Sequence, residues 1–170
     1  ERFARVSTVP VVNGLTDRSH PCQILADIMT IEEQRGQIAG KTLAWTGDGN
    51  NVLHSLVEGS ARFGYRMNMA VPLGSEPDTR FLNWARNNGG QVMLCHEAEK
   101  AVEGADCVIT DTWVSMNQEH KARGHNVFQP FQVNGDLMKR ANQDALFMHC
   151  LPAHRGEEVT DEVIDGPQSV

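Results

Sequence analysis

No apolar run in this 170-residue sequence approaches the roughly 20 residues needed to cross a bilayer, which excludes a membrane-spanning helix. Basic residues are in deficit: 15 Lys+Arg face 22 Asp+Glu, a formal net charge of −7. Apart from Lys139-Arg140 the cations stand singly. A nucleic-acid binder needs clustered cations to neutralise phosphates, so that class is excluded as well. The cysteines Cys22, Cys95, Cys107 and Cys150 lie far apart without C-x-x-C spacing. A zinc ribbon or a disulfide framework is therefore not expected; the usage is that of a reduced, cytoplasmic protein. Gly and Pro show no triplet period, so collagen-like architecture is out. No basic segment followed by an apolar core opens the chain, and a secretory signal is not expected.

What is present is ordinary for one globular domain, with 40% hydrophobic and 22% charged residues. Short β-prone runs recur at Thr8–Val12, Thr42–Thr46, Met67–Val71, Gln91–Cys95, Asp106–Thr110 and Ala145–Met148. Between them lie segments of helical periodicity. Ile24, Leu25, Ile28 and Met29 form one stripe, Val52, Leu53, Leu56, Val57 and Ala61 a second, and Phe81, Leu82 and Ala85 a third. Further helices are expected at Glu97–Val102, Asn117–Arg123, Gly135–Asn142 and Thr160–Ile164.

The strand-like runs are apolar on consecutive positions, the pattern of strands buried on both faces of a parallel sheet. Alternation with helices then predicts a single α/β domain: a doubly wound parallel sheet with helices on both faces, a Rossmann-like three-layer arrangement. Cys95 and Asp106 are close together for a crossover helix, which makes that connection the weakest. In such sheets ligands sit beyond the carboxyl ends of the strands. There the sequence places Gly47-Asp48-Gly49-Asn50-Asn51, then Asp111-Thr112-Trp113-Val114-Ser115-Met116, and His149-Cys150-Leu151-Pro152. A loop after the first run leads to His20-Pro21-Cys22-Gln23. Four loops are expected to converge on one rim.

The glycine pair at 47 and 49 lacks the third glycine of a dinucleotide fingerprint, since Val52 holds that place, and no acid follows about 20 residues later. A glycine-permitted turn with Asn50 capping the next helix is the plainer reading. Asn51 is left over from capping, and its amide suits the carboxylate and amine of a zwitterion. Pro21 starts a helix on which His20 and Gln23 share a face. Asp111 reads either as a cap or as an acidic partner for Cys150 at a neighbouring strand end. Trp113 and Met116 are expected to be exposed beside Ser115 and mark a binding loop. His149/His154 and His120/His125 are five apart, which is not helical metal-ligand spacing, and no metal is expected.

Taken in order, these four motifs resemble those of the ornithine carbamoyltransferases, within the aspartate/ornithine carbamoyltransferase superfamily. The resemblance runs over essentially the whole chain, and its specific parts are His149-Cys150-Leu151-Pro152 and Asp111-Thr112-Trp113-x-Ser115-Met116. It implies transfer of a carbamoyl group from carbamoyl phosphate to the side-chain amine of L-ornithine, giving citrulline and phosphate in arginine metabolism. It also implies no cofactor, a cytoplasmic location, and homotrimers in the full-length enzyme. By position, His20, Gln23, Cys150 and Leu151 would contact carbamoyl phosphate. Asn51, Asp111, Ser115 and Met116 would bind ornithine, and Cys150 and Asp111 would be catalytic.

The sequence departs from the family pattern in two respects. Asn117 stands where the family usually has Gly after Ser-Met, which leaves other amines such as putrescine open. The family's phosphate-binding Ser-x-Arg-Thr-Arg run has no match, and a further arginine beyond the present end is missing. The expectation is a fragment: residues 1–19 closing a carbamoyl-phosphate domain whose remainder is missing, and residues 20–170 forming a truncated ornithine-binding domain. A Rossmann-type nucleotide-binding enzyme is the alternative.

Overall fold

A computed structural model describes residues 2–113 and 127–170. In chain order the elements are α1 (Arg2–Val6), α2 (Pro21–Arg35), β1 (Thr42–Thr46), α3 (Asn51–Phe63), β2 (Arg66–Ala70), α4 (Thr79–Asn87) and β3 (Gln91–Cys95). They continue with α5 (Ala98–Val102), β4 (Cys107–Thr110), a 3-10 turn (Gln129–Phe131), α6 (Gly135–Met138), β5 (Leu146–His149) and α7 (Asp161–Ile164). The strands form one sheet, all parallel, in the order β3-β2-β1-β4-β5. This is the doubly wound α/β architecture expected from the alternation of runs. A parallel bridge between Phe147 and Ser169 adds the last residues to the β5 edge.

Two cores flank the sheet. On one face, α2, α3 and α4 bury Ile24, Ile28, Leu53, Leu56 and Phe81 against Leu43, Trp45, Met67 and Met69. On the other, α5, α6 and α7 cover Ala44, Ala70, Val108 and Phe147. Small residues decide the short connection after β3. Ala98 and Ala101 of α5 lie over the same core as Ala44 and Ala70, so a five-residue helix can lie close to the sheet and touch β1, β2 and β3.

Three expectations are corrected. Thr8–Val12 is not a strand: Val9, Val11 and Val12 are exposed, and the local bonds are a turn in which Ser7 Oγ donates to Val9 O. A β-prone run without a sheet edge to join stays extended loop. The inner stripe of α2 is Ile24, Asp27, Ile28 and Ile31, whereas Leu25 and Met29 are more than half exposed. The helix at Gly135 stops at Met138 rather than reaching Asn142. The Asn117–Arg123 segment lies outside the described residues.

Candidate active site

The winding of the chain fixes where a site can form. From β1 the chain moves outward to β2 and β3, then returns across the sheet to β4 and β5. The loops leaving β1 and β4 therefore part in opposite directions, opening a crevice at the carboxyl ends of these two neighbours.

The β1 side is a tight turn. Gly47 sits at φ 129, where side chains are disfavoured, and Gly49 lies against the backbone of the β2–α4 connection. A Cβ at 49 would come within 2.2 Å of Ser75 O and 2.4 Å of Pro77 N. The two glycines thus serve backbone packing. Asn50 then caps α3, its Oδ1 accepting from Val52 N and Leu53 N, and its Nδ2 donates to Asp111 Oδ2 at 2.6 Å. Asn51 turns the other way, donating through Nδ2 to Thr16 O at 2.7 Å.

From the β4 side, Asp111 accepts from Thr112 N at 2.7 Å as well as from Asn50, so both its oxygens are held. Cys150 follows β5, and its sulfur lies within 4.8 Å of an Asp111 carboxylate oxygen. Burial, then the Asp111 carboxylate, push that thiol far above the usual cysteine range. Cys150 is accordingly a neutral S–H at the site and not a thiolate nucleophile.

His149 braces this turn. Leu151 N donates to His149 Nδ1 at 2.9 Å, so the ring proton must sit on Nε2, which meets Glu158 Oε1 at 3.1 Å. Both partners are inside the protein, Glu158 completely so. The same Oε1 accepts from His154 N. Leu151 has φ 50, and among the described residues it is the one non-glycine with positive φ. Backbone held in that region costs of order 1–3 kcal/mol and is typical of functional turns.

On α2, His20 N donates to Ser55 Oγ of α3 at 2.8 Å, while His20 Nδ1 is buried without a partner. Gln23 Nε2 donates to Asp27 Oδ1 at 2.9 Å. The helix start is thus fastened to α3 near Asn50, although among the described residues no strand precedes it. Trp113 is a correction: it is buried, stacked on Phe128 with ring centroids 5.7 Å apart, and it packs behind Gly47. Ser115 and Met116 lie outside the described residues, as do His120 and His125.

Two groups of potential metal ligands converge within 4.8 Å among the described residues: Asp111, His149 and Cys150, and His154, Glu157 and Glu158. In the first, both ring nitrogens of His149 are already engaged. In the second, Glu158 is committed to His149 and His154. The first group would have to give up a bond that holds the β5 turn before taking a metal; in the second, Glu158 Oε2 is buried without a hydrogen-bond partner.

Sequence reasoning gave Asn50 a capping role alone and passed over Asp27 and Glu158. Asp27 did leave a signal, since it interrupts an Ile24–Ile28–Ile31 face with an acid. For Glu158, nine residues beyond His149 in a loop, the sequence carried none.

Residues 39–170 match the family model for the aspartate/ornithine carbamoyltransferase Asp/Orn binding domain. Residues 1–33 match its carbamoyl-P binding domain. The chain belongs to the aspartate/ornithine carbamoyltransferase family. It is 80% identical over 168 residues to the ornithine carbamoyltransferase of Rhizobium meliloti (strain 1021), covering 99% of the chain and 55% of that protein. The ornithine carbamoyltransferase of Brucella abortus (strain 2308) is 66% identical over 168 residues, with 99% and 54% covered. Among solved structures, the ornithine carbamoyltransferase from Pyrococcus furiosus superposes with a TM-score of 0.92 at 53% identity, covering 99% of this chain and 55% of that one. The enzyme from Burkholderia thailandensis E264 gives 0.88 at 44% identity, with 99% and 54% covered. The chain spans about half the length of the carbamoyltransferases it matches.

Proposed function

We propose that this chain is the amine-binding half of an ornithine carbamoyltransferase, which moves the carbamoyl group of carbamoyl phosphate onto the side-chain nitrogen of L-ornithine. The observation that carries the proposal is the Asn50–Asp111–Cys150 cluster at the crevice between β1 and β4, a fixed carboxylate beside a neutral thiol. An alkylammonium has a pKa near 10.4 and no lone pair, so it must lose a proton before it can attack. Asp111 receives and orients that nitrogen, with Cys150 beside it at the place where amine and carbamoyl carbon meet.

The amine lone pair forms the new C–N bond, the C–O bond to phosphate breaks, and phosphate leaves with that electron pair. The amine proton passes to the Asp111 side. His20 and Gln23 hold the carbamoyl group with Leu151, and His20 stabilises the charge that builds on its oxygen. Asn51, its amide nitrogen given to Thr16, meets the α-amino acid end of ornithine through its carbonyl oxygen, together with Ser115 and Met116. No cofactor or metal is needed for this route.

The remaining assignments go with this reading: residues 1–19 as the end of a carbamoyl-phosphate domain, a homotrimer for the complete enzyme, a cytoplasmic location and a place in arginine biosynthesis. The trimer and the place in arginine biosynthesis rest on the family membership and the cytoplasmic location on the four free cysteines, while the carbamoyl-P match runs on to residue 33, past the division at residue 19. Among the described residues no helix is long and apolar enough to cross a membrane.

The test is product analysis with the complete enzyme, supplied with carbamoyl phosphate and either ornithine or putrescine. Citrulline from ornithine at the higher kcat/KM is expected; preferential carbamoylation of putrescine would transfer the proposal to another amine. The 170-residue chain alone is expected to form no citrulline, because it lacks the arginine run that would grip a phosphate dianion.

A further inference from the structure

Asp27 is a carboxylic acid in the wrong place for stability. It sits on the core-facing side of α2 between Ile24, Ile28 and Ile31, at 6% exposure. Burial raises its pKa from 3.8 to about 6, and the hydrogen bond from Gln23 opposes that rise only in part. An apolar residue here would complete the stripe, so the acid is kept at the expense of the fold. Strongly perturbed acids in such surroundings tend to serve a site.

We propose that Asp27 is a positioning residue for the carbamoyl group, fixing the side-chain amide of Gln23 from within the core so that its carbonyl oxygen is presented to the carbamoyl nitrogen. The proposal rests on reading Gln23 as a carbamoyl contact.

The reasoning is one of donors and acceptors. A carboxylate only accepts, so it selects the amide orientation in which Gln23 Nε2 points inward, as observed at 2.9 Å. The amide oxygen is then left for the ligand. A carbamoyl NH2 group has two N–H donors and a delocalised lone pair, so it is satisfied by an oxygen and not by another NH2. When Asp27 binds a proton it becomes able to donate, and the opposite amide orientation becomes competitive. That orientation shows the ligand a donor it cannot use. Carbamoyl recognition therefore weakens as pH falls through about 6.

The titratable groups that feel Asp27 are Tyr65 ahead of β2, Cys107 on β4 and Cys150 after β5. Burial first and the Asp27 charge second raise both Tyr65 and Cys107. Cys150 is raised by burial, by Asp111 and, less, by Asp27. All three stay neutral across the range in question, so the change near pH 6 is assigned to Asp27 itself. Cys150 packs against the core that Ile24 and Ile28 of α2 help to form.

The experiment measures KM for carbamoyl phosphate against pH in the complete enzyme, for wild type, Asp27→Asn and Asp27→Leu. An Asn side chain can donate as well as accept, like the protonated acid, so Asp27→Asn is expected to show a raised KM already at pH 8 and no extra rise below pH 6. Asp27→Leu removes the acceptor and is expected to raise KM by about tenfold, with a smaller change in kcat. A wild-type KM in Asp27→Leu, or an acid rise of equal size in Asp27→Asn, overturns the proposal.

Should Asp27→Leu fail to fold, the comparison of wild type with Asp27→Asn decides alone. The Gln23 side-chain amide, followed by 15N NMR after selective labelling, is expected to shift with a midpoint near 6 in wild type and not in Asp27→Asn. A flat wild-type titration also overturns the coupling. If wild type makes no carbamoylated amine, the functional reading fails, and the Gln23 titration still decides whether Asp27 controls the amide.

Discussion

Asn50 Nδ2 donates to Asp111 Oδ2 across the β1–β4 crevice at 2.6 Å, while Asn50 Oδ1 caps α3. One side chain thus fixes both the start of a helix and the carboxylate of the site. The two tasks are separable. Asn50→Ser is expected to keep the cap and stay within about 1 kcal/mol of wild type in urea denaturation, yet lower kcat/KM for ornithine about tenfold. Asn50→Ala loses both, adding about 1 kcal/mol of destabilisation from the missing cap. Equal activity in Asn50→Ser and wild type would show that Asp111 needs no such brace.

Cys150 and Asp111 make a second pair to be tested together. Cys150→Ser and Asp111→Asn in the complete enzyme are expected to lose rate mainly through ornithine, with altered pH–rate profiles. Unchanged profiles in both would contradict their assignment to the amine. Because burial and Asp111 hold the Cys150 thiol protonated, iodoacetamide at pH 8 is expected to modify exposed Cys22 well before Cys150. Peptide mass spectrometry gives the order directly.

Asp27 carries a stability cost with a definite sign. Its folded-state pKa of about 6 lies above the unfolded value of 3.8, so its contribution is most favourable below 3.8 and is lost as pH rises through 6. At about 1.4 kcal/mol per decade, keeping it ionised costs about 3 kcal/mol at pH 8. Asp27→Asn is therefore expected to be the more stable protein at pH 8, with the gap closing toward pH 4. Denaturation midpoints at the two pH values measure it; a constant gap would place the effect elsewhere.

Glu158 is the anchor of the β5 turn. Glu158→Leu leaves His149 Nε2–H and His154 N–H unpaired in the interior and is expected to cost about 2–5 kcal/mol. Glu158→Gln keeps an acceptor and is expected to cost less than half of that. Chemical denaturation ranks the two, and equal losses would mean that charge rather than hydrogen bonding holds the turn.

Gly49→Ala tests the reading of the glycine turn. Its Cβ would meet backbone atoms of Ser75 and Pro77, which cannot rotate away. Loss of soluble folded protein is expected, whereas a folded, stable variant would reopen a ligand role for the Gly47–Gly49 backbone.

Most of the sheet was legible because β1, β4 and β5 are buried runs, which announce themselves without any partner in view, and β2 and the half-exposed edge strand β3 still carry consecutive apolar residues. Thr8–Val12 has the same composition, but a strand is a relation to a neighbour, and no sheet edge reaches it. The α2 stripe was misplaced by one position because Leu25 and Met29 are apolar and exposed, while Asp27 is polar and buried. Asp111 and Cys150 were readable as strand-end residues and as partners; the order in which β1, β4 and β5 are laid side by side to bring them together was not. Glu158 and Asn50 act through long-range hydrogen bonds, which leave no period in a sequence.

The family models divide the chain between residues 33 and 39, yet α2 ignores that division. Ile24, Ile28 and Ile31 lock it into the same core as β1, α3 and α4, and His20 is tied to Ser55. Mechanically, the helix travels with the sheet. A hinge within this chain would then fall ahead of residue 20, and its swing would carry His20, Gln23 and Cys150 as one piece.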